Sequence, residues 1–131
     1  CISKNNALKN LDIDDTTSVQ LWFMSGATGY ISTLMATASL WRLHLFGSKA
    51  WVQMNGQNEI ITSFINQKPK TKQFSDANIE RLELESFAQS ILNSISYPVS
   101  DEEVLNGVST FEAISKSIKE NGSKVLTSEI K

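Results

Sequence analysis

The sequence predicts an α+β protein: an antiparallel sheet of about five strands, with two helices packed on one face and the other face left open for oligomerisation. Three observations predict it. Short runs rich in β-branched and aromatic residues, separated by Gly-bearing loops, fill positions 18–65 and signal consecutive hairpins. Apolar residues at helical spacing follow from Ile79 to Ile95. A capping-box sequence, Ser100-Asp101-Glu102-Glu103, then opens a second helical pattern.

The first hairpin joins Val19-Gln20-Leu21-Trp22-Phe23-Met24 to the run Thr28 to Met35 through Ser25-Gly26-Ala27. After a break over Ala36 to Ser39, Leu40 to Phe46 is joined to Trp51 to Met54 by Gly47-Ser48-Lys49-Ala50. Glu59 to Ile65 follows a turn around Asn55-Gly56-Gln57-Asn58. Side chains alternate across a strand, so Val19, Leu21, Phe23, Ile31, Thr33, Met35, Leu43, Leu45, Val52 and Met54 share one face. This face is mostly aliphatic and is the one the helices are expected to cover. The opposite face carries Gln20, Trp22, Met24, Tyr30, Ser32, Leu34, Arg42, His44, Phe46, Trp51 and Gln53. Its large rings among hydrogen-bonding groups suit an interface. Left bare, it exceeds the roughly 300–600 Å2 patch that monomers expose. Trp22, Tyr30, Arg42, His44, Phe46 and Trp51 are therefore the candidates for an interface or a substrate-side surface.

Positions 66–75 form a polar connection with Pro69 and the lysines 68, 70 and 72, read as a solvated loop in preference to an anion site. Ser75 or Asp76 is the expected N-cap of a helix near Asn78 to Ile95, whose stripe of Ile79, Leu82, Leu84, Phe87, Ala88, Ile91, Leu92 and Ile95 packs on the sheet. Pro98 interrupts it, because the residue before a proline avoids α geometry. The second helix is expected near Asp101 to Glu120, with Val104, Leu105, Val108, Phe111, Ile114 and Ile118 buried and Asn121-Gly122 as a left-handed stop.

Composition narrows the class. The chain has 131 residues, enough for one domain with a real core, and this reading takes 1–131 as that single domain. With 40% hydrophobic and 20% charged residues it is globular. A net charge of −2, from 12 basic and 14 acidic residues, gives no basic footprint, so no nucleic-acid partner is expected. No apolar run reaches the roughly 18 residues of a membrane span, so no membrane is expected either. The single Cys cannot make an internal disulfide, which fits a reducing compartment. The chain opens on Cys1, and the expectation is a piece of a longer protein, with a lipid-bearing first residue as the alternative. Cys1 to Leu11 are then expected to be frayed.

Chemistry is scarce in these residues. Gly26-Ala27-Thr28-Gly29 lies in a hairpin and opens no helix, so it is not a dinucleotide fingerprint. His44 is the only His, without a second ligand at helical or hairpin spacing, so no metal site is assigned. Cys1 has no paired base. Glu80, Glu83 and Glu85 belong to a solvated helix face, and Asp14 and Asp15 lead into a strand. No catalytic, cofactor-binding or metal-binding residue is therefore assigned.

Several segments together resemble a known family. Asp14-Asp15-Thr16-Thr17, Leu21 to Ile31 with its Phe23-Met24-Ser25-Gly26-Ala27-Thr28-Gly29, and Leu43 to Val52 with Gly47-Ser48-Lys49-Ala50 are similar to the C-terminal domain of Gfo/Idh/MocA oxidoreductases. That family includes glucose-fructose oxidoreductase and inositol dehydrogenase. Ser86-Phe87-Ala88, Pro98 to Glu103 and Glu112-Ala113-Ile114 with Ser117 resemble its helices, so the likeness spans Asp14 to Val125. Ala50 stands where the family has Gly, and a local difference in that turn is expected.

The resemblance implies a parent with an N-terminal Rossmann domain that binds NAD or NADP and oxidises a sugar, cyclitol or related polyol in the cytoplasm. This chain then supplies a wall of the substrate pocket and the surface of a homodimer, with no cofactor of its own. The family's catalytic Glu-Lys-Pro and Asp-x-x-x-His motifs do not occur in this sequence, so no catalytic role transfers to any position and the fragment alone is inactive. Two other classes fit the residues. One is a free-standing saccharide-binding module that stacks sugars on Trp22, Tyr30 and Trp51. The other is a structural assembly module.

Overall fold

The computed structural model describes residues 1–5, 8, 10 and 12–130. The class is α+β, with two helices and two antiparallel sheets. The chain divides into two compact units, residues 1–37 with 98–131, and residues 38–97.

The first unit holds a sheet of three strands in the order β1 (Ile2–Lys4), β2 (Thr16–Trp22), β3 (Thr28–Leu34). Strands β2 and β3 form the expected first hairpin, with Val19 opposite Ile31 and Gln20 opposite Tyr30. The connection is longer than the sequence suggests. Phe23 and Met24 leave the strand, Phe23 N–H donates to the Ala27 carbonyl, and Gly26 takes φ +87°. The Phe23 ring then lies over Gly29, where a Cβ would stand 3.3 Å from its Cε2 atom.

Strand β1 corrects the expectation that the first residues are frayed. Ile2, Ser3 and Lys4 pair with Ser18, Thr17 and Thr16, and the Ser3 and Thr17 hydroxyls share a 2.9 Å hydrogen bond. Positions 6, 7, 9 and 11 of that segment lie outside the described residues. Asp15 is buried, at 2% exposure. Its carboxylate accepts the Leu8 N–H at 2.7 Å and the Thr16 hydroxyl at 2.8 Å, while its backbone joins Lys4 and Met35. Buried charge is tolerated when hydrogen-bonded in this way, and Asp15 ties the start of β2 to the segment before it.

The same unit contains α2 (Asp101–Lys119), preceded in the chain by α1 (Ile79–Asn93) of the other unit. Helix α2 begins with the expected capping box: Ser100 Oγ accepts the Glu103 N–H at 3.3 Å, and Glu103 accepts the Ser100 N–H at 2.8 Å. The left-handed stop is also in place, with Asn121 at φ +56° and the Gly122 N–H on the Ser117 carbonyl at 2.8 Å. Its buried positions differ from the expected stripe. Ala113 and Ser117 are buried, whereas Val104, Leu105, Val108 and Phe111 are at least half exposed. Helix α2 lies against β1. Small residues one turn apart let a strand approach closely, and the Cys1 amino group reaches Ser117 Oγ at 3.0 Å.

Gly122→Ala tests this junction. At φ +88° any side chain is strained, and its Cβ would also stand 3.1 Å from the Cys1 carbonyl. A loss of about 1 kcal/mol or more is expected in chemical unfolding. An unchanged midpoint would show that the helix end does not hold β1.

Capping gives a second expectation. Ser100→Ala should cost about 1 kcal/mol. The Glu103 carboxyl is held below its ordinary range by the Ser100 backbone N–H first and the Ser100 hydroxyl second. Because the folded state lowers this pKa, the cap's contribution is complete above the unfolded value and fades as pH falls through the folded one. Glu103→Gln retains a capping side chain without a titrating group, so thermal melts should show it losing less stability on acidification than the parent. Equal acid sensitivity in both would refute the cap as the source.

The second unit holds a sheet in the order β4 (Arg42–Phe46), β5 (Ala50–Asn55), β6 (Glu59–Phe64), β7 (Lys70–Gln73). Pairing puts Phe46 opposite Trp51, His44 opposite Gln53, and Leu45 opposite Val52, the alternation expected for these runs. Ala50 opens β5 and is not among the residues with positive φ, so its Cβ carries no left-handed strain there. Strand β7 occupies what reads as a polar loop. Lys70 and Lys72 pair with Thr62 and Ile60, all four β7 residues are exposed, and the Lys72 ammonium lies 4.6 Å from the Phe74 ring centre. Lysines on an outer strand discourage pairing with other chains, which explains a strand of such polar composition.

Helix α1 starts within a residue of the expected position, but its cap is neither Ser75 nor Asp76. Asn78 is its N-cap, accepting the Arg81 N–H at 2.8 Å, and Ser94 closes it at φ +52°, before Pro98 is reached. No residue of α1 is buried, and Leu82, Phe87 and Ile91 are each more than half exposed. The strands thus form two sheets in place of one of about five, and the helices fall one to each unit. The bends of 35–38, followed by residues outside any strand up to Trp41, separate β3 from β4 and end the run of hairpins there.

Candidate functional site

The six candidate residues divide between the two units. Trp22 and Tyr30 lie on the three-stranded sheet; Arg42, His44, Phe46 and Trp51 lie on the four-stranded one. Within each sheet the alternation places them on one face, as expected.

On the three-stranded sheet, Trp22 faces Thr28 across the ladder, and Tyr30 faces Gln20. Both rings are exposed. The Tyr30 hydroxyl donates to Ser18 Oγ at 3.2 Å. Its pKa is lowered chiefly by Ser18, with Ser32 adding to the effect, since both neighbouring hydroxyls favour the phenolate.

The denser cluster is on the four-stranded sheet. His44 stacks on Phe46 with ring centres 4.0 Å apart and meets Trp51 edge to face at 5.0 Å. Residues two apart on a strand share a face, and the β4–β5 register brings Trp51 beside them. His44 Nε2 is buried with no hydrogen-bond partner. Such a group ordinarily costs about 1–3 kcal/mol, and here it sits in a ring packed against Phe46 and Trp51. Phe46 remains 76% exposed, so the cluster presents an open ring face. Around the tip of the same hairpin, Leu45, Ala50, Val52, Thr62 and Phe64 line a shallow apolar hollow of about 360 Å3 that also touches Phe46 and Trp51.

Polar groups at the other end of the sheet are engaged with one another. Glu59 accepts from Asn55 at 2.8 Å and from Gln73 at 2.5 Å, and Asn58 bonds Asp76. Among the described residues no three His, Cys, Asp or Glu side chains are grouped to hold a metal ion. The cluster offers stacking surface and hydrogen bonding. It sets no acid beside a base and no nucleophile beside an activating group.

Sequence reasoning missed Asp15 as a buried anchor. The signal was the pair Asp15-Thr16, a carboxylate next to a hydroxyl at a strand start, which is also common in exposed turns. Neither helix is long and apolar enough to cross a membrane. Comparison with protein families, curated proteins and solved structures found no match to this chain.

Proposed function

We propose that this chain is the substrate-side and subunit-interface part of a cytoplasmic NAD(P)-dependent oxidoreductase of the Gfo/Idh/MocA type, acting on a sugar, cyclitol or related polyol. The observation that carries the reading is the His44–Phe46–Trp51 cluster, built on the hairpin whose Leu43 to Val52 sequence is similar to the family's. The exposed Phe46 ring and the half-buried His44 and Trp51 rings, on one face with Arg42 and Gln53, suit either the hydroxyls and apolar ring faces of a polyol or the same surface of a second subunit. In this reading the parent's Rossmann domain brings NAD or NADP and the catalytic groups, and this chain shapes the pocket and holds the dimer. The open ring face of Phe46 also supports a second reading, a saccharide-binding module without catalysis.

The coding sequence upstream of Cys1 discriminates between them. A strand-to-helix Gly-x-Gly-x-x-Gly unit followed by a Glu-Lys-Pro motif supports the oxidoreductase, and a start codon immediately before Cys1 overturns it. Calorimetric titration of the chain itself with NAD and NADP should give no binding heat, because neither helix opens on a Gly-rich turn from a strand that would aim N–H groups at a pyrophosphate. Micromolar binding of either nucleotide would place a cofactor site in this chain and refute the division of labour.

A further inference from the structure

We draw no further inference here: the strongest candidate, the apolar hollow of about 360 Å3 at the β4–β5 hairpin end of the four-stranded sheet, belongs to an unpartnered sheet face, and nothing in the structure shows what covers it.

Discussion

Asp15→Ala is expected to lower the unfolding free energy by about 2–3 kcal/mol. The carboxylate is 2% exposed and accepts from a backbone N–H and a hydroxyl. Truncation removes two charge-assisted hydrogen bonds and leaves both donors to find other partners inside the fold. Asp15→Asn keeps a carbonyl oxygen of nearly the same shape and should lose less, about 1 kcal/mol. Urea unfolding followed by circular dichroism reads both as shifts in midpoint at constant slope. A loss below about 0.5 kcal/mol for Asp15→Ala, the range of ordinary surface changes, would show that the burial of Asp15 contributes little.

Trp51→Ala is expected to weaken self-association of the chain by at least about 2 kcal/mol, close to thirtyfold in the dimer dissociation constant. The expectation rests on the proposed subunit interface. Large aromatic anchors at the centre of a desolvated patch dominate association, and Trp51 is held there by the His44 edge contact and by Phe46 across the ladder. The sequence alone treats Trp22 and Trp51 as two anchors of one face. The structure places them on separate sheets, so Trp22→Ala tests the three-stranded face and Trp51→Ala the four-stranded one. Sedimentation velocity across a concentration series decides the matter. A parent that stays monomeric, or a dimer unchanged by Trp51→Ala, removes the four-stranded face from the interface.

The part of this architecture legible in the sequence is the part governed by near neighbours. Strand alternation places His44 and Phe46 on one face whatever else the chain does, and the spacing of Ser100 and Glu103 caps α2 through bonds that span only three residues. The Asn121-Gly122 stop and the hairpins β2–β3, β4–β5 and β5–β6 follow from turn chemistry in the same way. These local signals also carry the α+β class.

Only the tertiary structure decides which remote segments meet. Strand β1 has a polar, unremarkable sequence and becomes a strand because β2 offers it a free edge; β7 does so beside β6. Apolar periodicity nominates the largest residues of α2 as its buried stripe, but the approach of β1 is set by how near two backbones can come, and that selects Ala113 and Ser117. Asp15 reads only as the lead-in to a strand until the Leu8 N–H arrives to donate to its carboxylate. One chain stretch without ladder partners, between Leu34 and Arg42, divides into two sheets what alternation alone would join. Alternation is a property of each strand, whereas sheet membership is a property of the hydrogen bonds that a strand's edges find at long range.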